Sequence, residues 1–439
     1  MVSYALLDKT EGSVKIMKRL MMAAAVAAGA VSMSYGAGFG IYEASARGNA
    51  VGGALVADTF QTDATANYYN PALNAFTTNI QTAVGITFIN PYCDVDVDHK
   101  SQPRMNSGWF SVPVFYLTVP LPYDFAFGWG NYTEYGLGTT YGHHWDLARD
   151  TQKTTMRQIT LNPNISYKIM DRWSVSAGLR ASWIEFYNRK KPFRGDTLHY
   201  GPYSVPDAYH LSSRLHGDDW AMGWTAATAF KVTEDITVGL VYRSKIKHDI
   251  KGNFDLDGDV TTPLGSMHQR EHTTAGAKLD LPQSVVAGVN WKVTEKYRVG
   301  ASVTWTEWSS VKNINFRIPG RGYTQDLHWN DVWRYGIGME YDVLDWLTAR
   351  CGYVYDMDPS AKNHGTTMIP AGDRHIIGTG LGFKLMEDLY LDLGYSFIRM
   401  NNDDRYVKVK DPDGVEHRYK FSTRNGSSHL VSATIRYTF

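Results

Sequence analysis

The sequence has few cysteines, no net charge and no long apolar run after its first residues. Two cysteines in 439 residues, Cys93 and Cys351, exclude a disulfide framework, and their positions do not tell whether they pair. The 44 basic and 44 acidic side chains cancel, so charge gives no reason to expect a nucleic-acid partner. After residue 36, no stretch approaches the ~20 uninterrupted apolar residues of a membrane-spanning helix.

Residues 1–36 have the pattern of a secretory signal peptide. Three basic residues precede the apolar run LMMAAAVAAGAV, and the small residues that follow predict cleavage before Ala37. Met17 is a plausible true start, because the residues before it add nothing to the signal. An exported chain without a helical span is either soluble in the periplasm or a β-barrel in a membrane.

The chain ends in HLVSATIRYTF, in which apolar and polar residues alternate up to Phe439. A period of two is typical of a strand with one apolar and one polar face. The same period recurs along the chain, and it predicts fourteen strands. They begin near Gln81, Phe110, Phe125, Ile159, Trp173, Trp220, Ile236, Ser284, Tyr297, Trp333, Leu347, Ile376, Leu389 and His429.

The ends of these strands favour a membrane barrel over a large soluble β-sandwich. Many apolar rows begin or end in Trp or Tyr, as expected at a lipid interface. Compact turns, such as VTED, VTEK and LMED, alternate with long polar connections. We therefore predict an all-β fold, a transmembrane antiparallel barrel of about 14 strands over residues 77–439. The long connections are Tyr132 to Thr155, Asn188 to Asp218, Asn253 to Lys278 and Met400 to Ser428.

A barrel of this size leaves a lumen that needs a plug or a ligand. Residues 37–76 precede the first strand, lack its alternation and are rich in Gly and Ala, as in GNAVGGALVADTF. We predict that this segment forms an N-terminal hatch inside the lumen.

The hatch sequence AGFGIYEASARGNAVGGALVADTFQTDATANYYNPA resembles that of the FadL/TodX family, outer-membrane transporters of long-chain fatty acids and other hydrophobic compounds. Further segments resemble family motifs in family order, so that the resemblance covers essentially the whole mature chain. These segments are LNPNISYKI, GDDWAMGW, YRSKIKHDIKG, LDLPQSVVAGV, VTWTEWS, WNDVWRYGIGMEY, RCGYVYD and IPAGDRH.

The resemblance implies a monomeric barrel in the bacterial outer membrane, closed at its periplasmic end by the hatch. It also implies an extracellular capture groove, a deeper apolar pocket and a kinked third strand that opens the wall for lateral exit. Long-chain fatty acids are the expected ligands, and aromatic hydrocarbons are the alternative. Further expected partners are outer-membrane lipid, lipopolysaccharide and the barrel-assembly machinery, which would recognise the terminal Phe439.

Several residues are candidates for this route. Asn70, Pro71 and Ala72 form the hatch motif, although Asn-Pro is also an ordinary turn initiator. Gly128 and Gly130 lie on the inward side of the third strand, where glycine permits a kink or merely leaves room for the plug.

Four inward arginines could neutralise a carboxylate head group, or they could pair with the hatch or with acids such as Glu340 and Asp392. The loop that begins at Tyr141 is a candidate for the capture groove, and a solvated loop is its alternative. The four arginines are Arg180, Arg243, Arg334 and Arg350.

No motif predicts catalysis, a cofactor or a metal. HQREH (His268 to His272) matches the H-x-x-E-H spacing of zinc proteases, but we place it in a polar inter-strand loop rather than on the helix that this chemistry needs. Two competing classes are an outer-membrane lipase-like enzyme and a structural porin.

Overall fold

The structure is a computed structural model that describes residues 38–102, 105, 108–142, 145–370 and 372–439. The predicted signal peptide lies outside these residues. Within them, no helix has both the length and the apolar character needed to cross a bilayer.

Fourteen antiparallel strands form a closed ring, as predicted. Each strand pairs with the next one in the ring, and the last strand pairs with the first from Gln81 opposite Thr438 onward. The barrel strands are β1 (Gln81–Val97), β2 (Phe110–Pro120), β3 (Phe125–Tyr132), β4 (Lys153–Met170), β5 (Trp173–Lys190), β6 (Tyr209–Lys231), β7 (Ile236–Arg243), β8 (Ser284–Lys292), β9 (Tyr297–Thr306), β10 (Val332–Leu344), β11 (Leu347–Asp356), β12 (Arg374–Lys384), β13 (Leu389–Met400) and β14 (Glu416–Thr438).

The long polar connections contain strands of their own. Four barrel strands, β4, β5, β6 and β14, extend into them, and a hairpin of Ile246–Thr262 and Gly265–Leu281 continues the wall beyond β6. The HQREH segment therefore lies on a strand, which corrects its placement in a loop. Long connections face outward in outer-membrane barrels, so we call this end extracellular. The remaining strands are Lys100–Ser101, Leu137–Thr140, Leu198–Tyr200, Tyr203–Val205, Asn313–Ile318, Arg321–Asp326 and Asp403–Lys410, and a 3-10 helix spans Trp308–Ser310.

Two rows of aromatic residues mark the lipid-facing band. On β5, Trp173 lies near the periplasmic turn and Trp183 lies ten residues further along the same face. Ten residues of strand span ~33 Å, which at a tilt of ~40° corresponds to a height of ~25 Å. This height matches the apolar band of an outer-membrane barrel.

The hatch contains short helices held by side-chain caps. Helix α1 (Ala46–Ala50) begins at Ser45, whose hydroxyl accepts a hydrogen bond of 3.0 Å from the Gly48 amide. Helix α2 (Ala66–Tyr69) is followed by a 3-10 helix, Pro71–Phe76.

The hatch fills the lumen by packing its backbone against inward-facing glycines. A Cβ added at Gly338 would overlap the carbonyl oxygen of Val51, and one at Gly352 would lie 2.5 Å from the Val51 carbonyl carbon. Residues 46–56 run past seven consecutive strands, β13 to β7, in this way. We call these residues the glycine belt: Gly239, Gly288, Gly300, Gly336, Gly338, Gly352, Gly378, Gly380 and Gly394.

Both cysteines are free, which answers the pairing question that the sequence left open. Cys93 is buried on β1 and Cys351 is exposed on β11.

Candidate functional site

The Asn-Pro-Ala motif fastens the hatch to the barrel wall. The Asn70 amide nitrogen donates to the carbonyl oxygens of Val56 (2.7 Å) and Thr228 on β6 (3.0 Å), and its amide oxygen accepts from the Ala72 amide (3.0 Å). The carbonyl oxygen of Pro71 accepts from the Ser166 hydroxyl on β4 at 2.6 Å. Asn70 and Ala72 are fully buried. The motif therefore holds the end of the hatch that leads into β1.

A buried network of ion pairs joins helix α1 of the hatch to strand β10 of the barrel wall. Arg47 on α1 makes a paired contact with Glu340 on β10 (2.9 and 2.6 Å) and also contacts Asp58 and Asp63. Burial lowers the pKa of Arg47, but the carboxylates of Glu340 and Asp58 more than offset it, so its pKa is raised. The hatch thus carries its own cation into the lumen, where it neutralises a carboxylate of the wall.

Arg350 and Arg334, both predicted to face the lumen, contact acids of the chain itself. Arg350 binds Glu340 (2.6 Å) and Asp392 (2.7 Å), which are the acids that the sequence analysis named as alternative partners. Arg334 lies 4.0 Å from Asp356, and its guanidinium stacks 4.4 Å from the ring centroid of Tyr42 in the hatch. Both arginines are buried, and their role in binding a ligand head group stays a prediction.

The third strand of the wall is interrupted near its extracellular end. Strand β3 ends at Tyr132, and the chain rejoins β4 only at Leu137, which pairs with Met156. Gly128 and Gly130, the predicted kink positions, lie within continuous pairing to both neighbours, with Gly128 against Asn67 of the hatch. Among the described residues, no strand pairing joins residues 110–114 of β2 to residues 137–140. The interruption therefore falls after the two glycines.

The residues in this interruption turn inward and pair with the start of the hatch. The Ile41 amide donates to the Glu134 carbonyl oxygen, and the Gly136 amide donates to the Phe39 carbonyl oxygen, each at 2.8 Å. The first described part of the hatch and the break in the wall are thus one hydrogen-bonded unit.

Arg180 and Arg243 converge on the carboxylate of Glu134 in this interruption. Arg180 binds one Glu134 oxygen and donates to the Ser244 carbonyl oxygen at 2.8 Å, and Arg243 lies 3.4 Å from the other Glu134 oxygen. Two of the four candidate arginines are therefore brought together, and the carboxylate between them is one that the sequence analysis did not single out.

An apolar cluster fills the upper lumen beside the interruption. Phe39 packs edge-on against Trp308, with ring centroids 4.8 Å apart, and also contacts Tyr135 and Trp329. The cluster continues towards the extracellular end through Ile246, Leu279, Leu281, Val311, Ile314, Phe186, Phe316 and Leu215.

A groove of about 800 Å³ opens at the extracellular end above this cluster. Its apolar lining includes Leu215, which also belongs to the cluster below. Its cations include Lys190, whose ammonium lies 4.5 Å from the ring centroid of Tyr323. The other apolar lining residues are Phe193, Leu211, Phe254, Leu256, Ile318 and Val409, and the other cations are Arg149, Lys408 and Lys410.

The loop that begins at Tyr141 packs into the protein rather than standing in solvent. The Tyr141 and Trp145 rings stack at 4.0 Å, and the Tyr141 hydroxyl donates to the Thr367 carbonyl oxygen at 2.8 Å. His143 and His144 lie outside the described residues. The loop reaches the groove through Arg149 and Asp150.

Comparison with known proteins agrees with this architecture. The family model for outer membrane protein transport proteins (OMPP1/FadL/TodX) matches residues 25–439. The chain belongs to this family. A long-chain fatty acid transport protein of Escherichia coli O6:H1 is 26% identical over 95% of this chain and 98% of its own length. A 47 kDa outer membrane protein of Pasteurella multocida is 26% identical over 96% and 97% of the two chains.

Solved structures of OMPP1/FadL/TodX proteins share the fold. A Pseudomonas aeruginosa FadL homologue superposes with a TM-score of 0.79, at 21% identity, over 92% of this chain and all of its own. The toluene transporter TodX of Pseudomonas putida superposes with a TM-score of 0.65, at 18% identity, over 86% and 95% of the two chains. This protein is therefore an outer-membrane protein of a family that takes up hydrophobic compounds.

Several residues of the site carry little sequence signal. Glu134 is an isolated acid in a polar connection, and Arg47 is separated from Glu340 by 293 positions. The one sequence signal for Phe39 is its position two residues after Ala37, which places it at the start of the predicted hatch.

Proposed function

We propose that this OMPP1/FadL/TodX protein takes up long-chain fatty acids passively across the outer membrane. The observation that carries the proposal is the extracellular groove, whose lining combines apolar side chains with four cations and three acids, Asp150, Asp326 and Glu416. Arg149 pairs with Asp196 and Lys408 pairs with Glu416, whereas Lys190 has no ion pair with a described residue. An acyl chain loses ~0.8 kcal/mol for each CH₂ transferred from apolar surface to water, so a continuous apolar route avoids a large barrier. A carboxylate at one end of the ligand would meet Lys190 and its neighbouring cations.

The route that we propose runs from the groove through the apolar cluster to the wall interruption after β3. Leu215 belongs to both the groove and the cluster, and Tyr135 belongs to both the cluster and the interruption. Lateral exit at residues 133–136 would require the hatch to release its hydrogen bonds to Glu134 and Gly136. Opening of the hatch and opening of the wall would then be one event.

The alternative ligand class is the aromatic hydrocarbon, because TodX is named as a toluene transporter. The cations of the groove favour the fatty acid, because an uncharged hydrocarbon gains nothing from a lysine. No catalytic role is proposed, since the relatives are named as transport and outer-membrane proteins.

The test is equilibrium binding of hexadecanoate, hexadecanol and toluene to the purified protein in detergent, by competition against a fluorescent acyl probe. We expect hexadecanoate to compete and Lys190→Gln to weaken it about tenfold, which corresponds to ~1.4 kcal/mol. Hexadecanol should be unaffected by this substitution, because it lacks the carboxylate.

The matched control is Lys420→Gln, which removes a half-buried lysine paired with Asp404 (2.9 Å) outside the groove. Its affinity for hexadecanoate should equal that of the wild type. Competition by toluene alone would move the assignment to the hydrocarbon class, and an equal loss for acid and alcohol would refute the role of Lys190 as a head-group contact.

A further inference from the structure

A row of three cations crosses the outer face of the barrel above the upper aromatic row. Lys153 on β4 lies directly opposite Arg189 on β5, and Arg189 lies directly opposite Arg214 on β6. We call these three residues the basic row. All three are half-buried or exposed, and they have the same parity as the lipid-facing residues Ile159, Trp183 and Trp220 further down their strands.

Like charges directly opposite on neighbouring strands destabilise a sheet. Neighbouring strands lie ~4.8 Å apart, so three adjacent cations repel one another unless an anion lies among them. None of the three has an ion pair with a described residue of this chain, and the Nε atom of Arg189 is buried without a hydrogen-bond partner.

The acids nearest to the basic row are already engaged. Glu185 pairs with Arg157 (3.4 Å), four residues below the row, and with His216 (2.9 Å), two residues below it. Asp255, the register partner of Arg214, accepts from His272 at 2.7 Å. Among the described residues, Asp255 is the acid in register with the three cations, so the row keeps a net positive charge.

The height of the basic row above the apolar band indicates which part of the outer leaflet it would contact. The row stands six residues beyond Trp183, which corresponds to ~20 Å along the strand and ~15 Å above the apolar band. Arg157 and Lys251 stand closer, two residues beyond the aromatic row. The row faces away from the lumen and stands above the ~5–8 Å polar layer of a phospholipid leaflet, so that only a lipid with a larger polar head group would reach it.

We propose that the basic row binds the phosphorylated head group of the outer-leaflet glycolipid, lipopolysaccharide. Guanidinium groups form paired hydrogen bonds with phosphate oxygens, and two adjacent arginines with a lysine would hold a phosphate by several charge-assisted bonds. This site lies on the outer face of β4 to β6, whereas the proposed uptake route lies within the lumen, and the two functions can therefore fail independently.

The experiment uses the full protein in nanodiscs of phosphatidylcholine, with thermal unfolding followed on addition of purified lipopolysaccharide. We expect stabilisation of the wild type by lipopolysaccharide, and little stabilisation by its dephosphorylated form. The triple variant Lys153→Gln, Arg189→Gln, Arg214→Gln should need at least tenfold more lipopolysaccharide for the same shift. Inorganic phosphate at equal phosphorus concentration should not replace the lipid.

The matched control removes the same charge elsewhere on the extracellular end. Lys408, Lys420 and Arg424 are each paired with an acid, and their triple Gln variant should respond as the wild type does. If the triple variant of the basic row does not fold, Arg214→Gln alone, at an exposed position, carries the test. Equal responses of the wild type and the basic-row variant, equal effects of the dephosphorylated lipid, or full replacement by inorganic phosphate would overturn the proposal.

Discussion

At the scale of single residues, the charges inside the barrel are organised by pairing. Arg47, Glu340 and Arg350 form one continuous contact, and Asp392 extends it to Arg436, which donates to it at 2.6 Å. Removal of one partner from a buried pair typically costs ~3–5 kcal/mol, because the remaining charge is left unpaired in a poorly solvated site. Ion pairs as well as close packing therefore hold the hatch inside the lumen.

Glu134 pairs with Arg180 and Arg243, the two arginines that a ligand carboxylate could otherwise bind. We predict that Glu134→Gln makes Arg180 and Arg243 available, so that the protein binds hexadecanoate more tightly relative to hexadecanol than the wild type does. Equilibrium competition with the two ligands measures this ratio. The matched control is Glu185→Gln, which removes an acid on the outer face of β5, and an unchanged ratio in Glu134→Gln would contradict the prediction.

His248 predicts a pH dependence of the extracellular hairpin. Burial lowers the pKa of His248, although hydrogen bonding to Asp219 and the charges of Asp219 and Asp280 act in the opposite direction. Its Nδ1 lies 3.1 Å from Asp219 and its Nε2 lies 3.2 Å from the Ser182 hydroxyl. A histidine with a lowered pKa in the folded state stabilises the fold above its unfolded pKa of ~6.5, and this stability is lost as the pH falls through the folded pKa.

We therefore expect the hairpin of residues 246–281 to exchange its amide hydrogens faster at pH 5 than at pH 7.5, after correction for intrinsic exchange. Hydrogen exchange with mass spectrometry measures this change. In His248→Gln the pH-dependent part should shrink, while His199→Gln, at an exposed position, should behave as the wild type does. Slower amide exchange of the hairpin at pH 5 than at pH 7.5 would contradict the predicted direction of the pH dependence.

At the scale of elements, the glycine belt explains how a chain segment fits inside the barrel. Gly300 faces Gly338, Gly338 faces Gly352, and Gly352 faces Gly378 across neighbouring strands. Side chains at these positions would occupy the path of the hatch backbone. The belt therefore fixes the depth at which residues 46–56 lie.

We predict that Gly338→Ala displaces the hatch while the barrel still forms. The added methyl group would overlap the Val51 carbonyl oxygen and lie 2.6 Å from the Val51 Cβ, so the hatch at Val51 would have to move. Hydrogen exchange of hatch peptides should accelerate at least tenfold, whereas heat-modified mobility in gels should still report a folded barrel. Gly108→Ala is the control, since its Cβ meets only Phe110 at 3.9 Å, and unchanged exchange in Gly338→Ala would refute a steric role for the belt.

The barrel strands were predictable from the sequence, because lipid on one side of the wall and the lumen on the other impose a period of two on the side chains. The hatch was predictable because residues 37–76 lack this period. The turns VTED, VTEK and LMED were located to the residue. The extracellular strands were missed, because both faces of a hairpin such as residues 246–281 carry many polar side chains. The wall interruption at residues 133–136 was not predicted, because it involves pairing of Glu134 and Gly136 with the hatch, which no local pattern records. A kink at Gly128 and Gly130 stays a prediction.

At the scale of the whole molecule, the groove, the apolar cluster and the wall interruption share residues with one another, and the uptake route that we propose follows them to Phe39 of the hatch. The most direct test of this account is uptake of radiolabelled hexadecanoate by bacteria that lack their own outer-membrane fatty-acid transporter and express this chain. We expect saturable uptake that exceeds the empty-vector control, is reduced by other long-chain fatty acids and is insensitive to toluene. Uptake at the empty-vector level, with folded protein present in the outer membrane, would contradict it.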